Sequence, residues 1–155
     1  MHSFDKPEQA YNWCVAEGQM IRQKEVGYDR VAANLAIAEE YLESAQEDIK
    51  KGRWNSTYTL HYDALHLLVE SFLLFDHIKS RSHLCLFAYL CNQYPDMELD
   101  WGFFEKVRTK RNGLSYYGTP VAEKHWKEVA LQFQLYLKLL KKKLQERLKP
   151  VLKMK

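Results

Sequence analysis

Apolar residues recur along this chain at intervals of three and four, and strand-like alternation is nearly absent. Pro7 suits an early helical position and Asp5 a cap, so a first helix is expected over about 7–25. In a second helix, Val31, Leu35, Ala38, Leu42, Ala45 and Ile49 form one narrow apolar stripe. Asp29 is expected to cap its start, and Gly52 sits where a left-handed residue ends a helix. A third helix is expected over about 55–77. Tyr58, Tyr62, Leu65, Val69 and Phe72 share one of its faces, and Leu67, Leu68, Leu73, Leu74 and Phe75 make most of the rest apolar. Such a helix is central, or lies at an oligomer interface. A short fourth helix follows Ser82, with Leu84, Phe87, Ala88 and Cys91 inward, and Pro95 ends that region. A fifth runs from about Asp100 to Asn112, where Gly113 is expected to stop it. The last is capped by Thr119, with Pro120 in its first turn. It carries Ala122, Trp126, Val129, Phe133, Tyr136, Leu140 and Leu144 inward and runs to Lys149, before Pro150. Short connections between long antiparallel pairs predict an all-α, up-and-down bundle of five or six helices.

Composition fits that picture. A chain of 155 residues is one domain, 1–155, with its core expected over about 30–148. Apolar residues at 46% and charged residues at 28% match an ordinary soluble globular protein. The longest apolar stretch, Leu65 to Phe75, contains Glu70 and is too short to span a bilayer, so no membrane role is expected. Met1 to Pro7 carries no basic region followed by an apolar run, so no secretory signal is read. Three cysteines without a C-x-x-C pair predict buried thiols in a reducing, cytoplasmic setting.

Charge is uneven. The tail 138–155 holds eight Lys or Arg against one Glu, a net +7, which leaves −4 on residues 1–137 of the total +3. A second basic knot, Lys106-Val107-Arg108-Thr109-Lys110-Arg111, lies just before the most informative segment, Arg111-Asn112-Gly113-Leu114-Ser115-Tyr116-Tyr117-Gly118. Basic patches attract phosphate backbones, although a charge run alone is as readily a solvated helix face. Arg108 and Arg111, three apart, share a helix face, and two guanidinium groups can hold a phosphate in fixed geometry. Asn112 can fix a loop, a ribose or a phosphate oxygen. Tyr116 and Tyr117 offer phenols and stacking faces for bases. The same residues could instead end a helix and plug a bundle.

The order of these parts resembles the HEPN (higher eukaryotes and prokaryotes nucleotide-binding) family. An apolar third helix carries Tyr62-Asp63-Ala64-Leu65-His66, and Arg-Asn-x-x-x-Tyr-Tyr-Gly precedes a long last helix. Tyr41-Leu42-Glu43-Ser44-Ala45 through Lys51-Gly52-Arg53-Trp54 resembles the family's early helix and turn. The resemblance covers about 30–145. It implies a bundle related to the C-terminal helical domain of kanamycin nucleotidyltransferase. It also implies a homodimer whose cleft carries Arg108, Arg111, Asn112 and Tyr116 from each subunit. Many prokaryotic relatives cut RNA without a metal and are paired with a nucleotidyltransferase-type antitoxin. Motif tyrosines can be modified by that partner, which makes Tyr116 and Tyr117 candidates here.

Catalytic members carry Arg, four to six residues, then His. From Arg111 those positions hold Tyr116, Tyr117 and Gly118; from Arg108 they hold Gly113, Leu114 and Ser115. The motif histidine is therefore missing, and tyrosine, with an ordinary pKa of about 10, is a poorer base. The expected roles are phosphate binding by Arg108 and Arg111, with Arg111 and Tyr116 the catalytic candidates. Asn112 would orient the ligand and Tyr117 would stack. Asp63 and His66, three apart on one helix, are auxiliary candidates, and His66 facing Arg111 would supply the missing base. Three readings stay open: an RNA or nucleotide-binding partner of a nucleotidyltransferase, a metal-independent endoribonuclease toxin, and a purely structural bundle.

Other chemistry is thinly supported. His61 and His66, five apart, are badly placed for one ion, and no third ligand is evident nearby, so no metal is expected. No phosphate-cradling glycine loop and no nucleophile elbow occurs, and no cofactor is expected. Glu39, Glu40, Glu43, Glu47 and Asp48 read as a solvated acidic face. Trp54, Trp101 and Trp126 read as core.

Overall fold

The computed structural model describes residues 2–154. Met1, at the head of the segment read for a secretory signal, and Lys155, the last residue of the basic tail, lie outside the described residues. Among those residues the chain is helical apart from one short two-stranded sheet. The order is α1 (Pro7–Ala16), β1 (Met20–Arg22), α2 (Tyr28–Lys50), α3 (Trp54–Phe75), β2 (Ile78–Ser80), α4 (His83–Gln93), α5 (Trp101–Tyr117) and α6 (Glu123–Lys153). A single 3₁₀ turn, Pro95–Met97, joins α4 to α5. No helix among the described residues is long and apolar enough to cross a membrane.

The apolar periodicity maps onto the core. Tyr58, Tyr62, Leu65, Val69 and Phe72 are all buried on α3, which packs against α2, α4, α5, α6 and β2. A helix with apolar side chains round most of its circumference thus finds partners on most sides. Val129, Phe133, Leu140 and Leu144 bury the inner stripe of α6. The three tryptophans read as core divide in exposure. Trp101 and Trp126 are buried, and Trp101 Nε1 donates to the Phe4 carbonyl at 2.8 Å, while Trp54 is half-buried.

Helix boundaries depart from expectation where backbone geometry intervenes. The first helix stops at Ala16, because Gly18 turns left-handed (φ 65°) and the chain enters β1. Neither expected aspartate cap forms. The N-cap positions of α1 and α2 are Lys6 and Gly27, and Asp29 falls in the first turn of α2, where its charge suits the helix dipole. Gly113 does not stop α5. The helix continues for another turn to Gly118 (φ 64°), whose N–H returns to the Gly113 carbonyl. The start of α6 shifts to Glu123, because Val121 N–H donates to Asn55 Oδ1 at 2.7 Å and holds the connection extended. Pro150 lies inside α6 on its exposed face; Glu146, whose carbonyl loses a partner there, is exposed too.

Helix directions differ from a simple up-and-down order. Tyr62 meets His83, and Asp76 meets Tyr94, so α4 runs alongside α3 in the same direction. Tyr58 packs on Trp126, and Asp76 pairs with Arg147, so α6 does the same. The cause is the small sheet. His77 adopts a left-handed backbone (φ 62°), the chain doubles back through β2, and β2 pairs antiparallel with β1 (Ile21 opposite Lys79). That return lets α4 begin against the middle of α3.

The cysteines correct the expectation of three free thiols. Cys14 and Cys85 form a disulfide with Cα atoms 5.7 Å apart, which ties α1 to α4. The two are 71 positions apart, so the pairing is set by helix packing that spacing does not reveal. In the chain-entropy account, closing a loop of that length stabilises by roughly 4 kcal/mol. Only Cys91 is free among the described residues, and burial pushes its thiol up to about 12. The inference of a reducing compartment rested on unpaired thiols and loses that basis.

Candidate functional site

Side chains from α3, α4 and α5 converge where α4 starts against α3. Ser82 caps α4, its hydroxyl accepting from Cys85 N–H at 3.1 Å, and fixes the direction in which His83 leaves the helix. Tyr62 Oη and His83 Nδ1 share a hydrogen bond of 2.9 Å. The phenol donates when His83 carries its proton on Nε2. His66, one turn beyond Tyr62 on α3, lies with its ring centroid 4.2 Å from that of His83.

Arg111 reaches this cluster from α5. Its guanidinium carbon is 5.4 Å from the centre of the Tyr62 ring, and Nη2 is 4.0 Å from Asp63 Oδ1. That carboxylate is too distant to satisfy the group, and the buried Nε has no hydrogen-bond partner. The guanidinium is thus held against a ring with hydrogen-bonding capacity unspent.

Electrostatics keep both imidazoles neutral. His66 is held down at about 4, first by burial and then by the charges of Arg111 and Arg30. His83 is also held at about 4, by burial first, then by His66, Arg111 and Arg108. Burial raises the Asp63 carboxyl above its ordinary value, against the opposing pull of Arg111. An incoming anion would offset the positive charge that depresses the histidines.

The residues expected from sequence fall into three groups. Arg111, His66 and Asp63 come together. Arg108 sits beside them but is buried and engaged by Glu105, with Nε–Oε1 at 3.1 Å and Nη2–Oε1 at 2.9 Å; Nη2 also reaches the His2 carbonyl at 3.4 Å. It contributes a fixed positive charge, with most of its donors already committed. Asn112 is half-buried within α5, a turn before the end of the helix. Tyr116 and Tyr117, each 71% exposed, project from the last turn of α5. Tyr116 is near enough to Tyr62 to act on its phenol electrostatically.

Two participants escaped the sequence reading. His83 stands 28 positions before Arg111, and only its place directly after a helix-capping serine hinted at a fixed orientation. Tyr62 was read as packing, and its hydroxyl also orients an imidazole. Among the described residues no group of three or more His, Cys, Asp or Glu side chains is placed to hold a metal ion.

Fold and site together define a helical bundle with an arginine–histidine cluster at the junction of three helices. Compared with family models, curated proteins and solved structures, the chain matches none.

Proposed function

We propose that this chain binds the phosphate of an RNA strand or nucleotide at Arg111, where α3, α4 and α5 meet. One observation carries the reading: Arg111 presents a buried, unpartnered Nε beside two histidines kept neutral. Arg111 would bind the phosphate oxygens, and Arg108 would add field without direct contact. Asn112 and the exposed Tyr116 and Tyr117 would meet neighbouring sugar and base. The resemblance of the Arg111–Gly118 segment to HEPN proteins supports RNA over other anions. It also supports a homodimer and a nucleotidyltransferase-type partner in a toxin–antitoxin pair, for which the two exposed tyrosines would be accessible.

A second reading, a metal-independent endoribonuclease, is favoured by the His66–His83 pair, which supplies the base that the motif after Arg111 lacks. In that chemistry one neutral imidazole takes the 2′-hydroxyl proton as the oxygen attacks phosphorus. The bond to the 5′-oxygen breaks, and the other imidazole, protonated once the phosphate is bound, returns a proton to the leaving oxygen. The products are a 2′,3′-cyclic phosphate and a 5′-hydroxyl.

One experiment separates the readings. Single-stranded RNA is incubated with the wild type, Arg111→Ala and His83→Asn in excess chelator, with binding and cleavage both scored. Binding lost in Arg111→Ala supports the site. Cleavage by the wild type, lost in His83→Asn, adds the enzyme. RNA binding unchanged in Arg111→Ala would reject this site and put RNA on another surface, and no RNA binding by the wild type would leave a structural bundle.

A further inference from the structure

Beside the arginine–histidine cluster lies a cavity of about 410 Å³, and His66 forms part of its wall. It is an open pocket lined chiefly by α3, β2 and α4, with Leu73, Leu74, Ile78 and Leu86 as apolar surface. Glu70, Arg30 and Gln23 supply polar groups on another side. Its size is at the lower end of ligand sites, roughly 300–1,000 Å³. That holds one nucleoside and not a stacked run of bases.

Building on the phosphate reading above, we propose that this cavity receives a single unstacked base of the bound strand, and that Glu70 selects guanine. The shared wall at His66 joins the cavity to the phosphate site, so one nucleotide can occupy both. Flat apolar surfaces suit the faces of a base. Arg30 Nη2 lies 3.3 Å from Glu70 Oε1, an ion pair that engages one of the two carboxylate oxygens. Among the described residues the second carboxylate oxygen has no partner.

A carboxylate only accepts hydrogen bonds. Guanine alone presents two adjacent donors, N1–H and N2–H, on its Watson–Crick edge. Adenine and cytosine present one amino group beside an acceptor, and uracil one N–H between two acceptors. Gln23 donates its backbone N–H to the His77 carbonyl at 2.7 Å, which fixes the residue at the rim, where its side-chain amide is available to the O6 side.

The test is calorimetric titration of the full chain, in excess chelator, with the four ribonucleoside monophosphates in both phosphate positions and with inorganic phosphate. The expected result is guanosine monophosphate at least about tenfold tighter than the uridine nucleotide and than phosphate. Glu70→Gln, nearly isosteric, should bring guanosine down to the others while phosphate binding holds. Leu74→Trp, which fills the cavity, should weaken every nucleotide and spare phosphate, with the melting temperature of each variant confirming its fold. Nucleotides binding no tighter than phosphate, or a guanosine preference that survives Glu70→Gln, would overturn the base pocket and leave the phosphate site standing. No binding of phosphate or any nucleotide would overturn both.

Discussion

Two arginine clusters lie towards opposite ends of α3, and they spend their hydrogen bonds differently. Around Asp76, Tyr89 and Tyr94 both donate to Oδ2, at 3.0 and 2.5 Å. Arg147 Nη1 donates to Tyr94 Oη at 2.9 Å, Nη2 lies 3.4 Å from Asp76 Oδ1, and the guanidinium covers the Phe75 ring at 4.3 Å. Around Arg111 the ring contact is present too, but the nearest carboxylate is 4.0 Å away and Nε is orphaned. The first cluster is closed on itself and fastens α6 to α3 and α4. The second leaves donors in place of a missing acceptor. Arginine, acid and tyrosine occur in both, so composition does not distinguish a closed brace from an open cluster. The unsatisfied group does.

The comparison breaks most sharply at its two arginine sites. Arg111→Ala should weaken RNA binding by about a hundredfold, the scale of removing a charge-assisted partner from a desolvated anion, with little loss of stability. A filter-binding assay paired with urea melts checks both halves. Asp76→Ala should do the reverse. It leaves two tyrosines and Arg147 without their acceptor, costs about 2–3 kcal/mol in urea melts, and leaves RNA affinity within about twofold.

Acidity sharpens the contrast further. A bound phosphate should raise both depressed imidazoles, so that binding takes up protons. Affinity should climb as pH falls below 7, by up to about tenfold per unit for each proton taken up. The free protein should move the other way. Unfolded imidazoles protonate near 6.5, and His66 and His83 in the folded chain only near 4. Acid therefore favours the unfolded chain through that window, and melting temperature should fall across it, less so in His83→Asn. The smallest change is Tyr62→Phe. It keeps the ring under Arg111, frees His83 Nδ1, and should cost about 1 kcal/mol of stability while altering the pH profile of binding.

Much of the fold was legible because helix burial follows a fixed period. The α3 face from Tyr58 to Phe72 and the α6 stripe from Trp126 to Leu144 needed only that rule. Stops and turns were less legible. Asn112-Gly113 reads as an ending, yet a glycine can be carried within a helix at modest cost, and Gly118 supplied the left-handed residue instead. Arg111 could be singled out from its neighbours in sequence. His83 and the Cys14–Cys85 pair could not, because both depend on α4 being returned to the middle of α3 by β2, a tertiary event without a local signature.

The bond between Cys14 and Cys85 also keeps the chain in one piece after a cut between them. The turn between α2 and α3, Lys51 to Arg53, is exposed and carries two basic side chains, Lys51 and Arg53, after which a trypsin-like protease cuts. A single nick there lies inside the covalent loop. The two pieces would migrate as one species on a non-reducing gel and part only when a thiol is added, so a non-reducing gel alone would not report that the backbone had been severed.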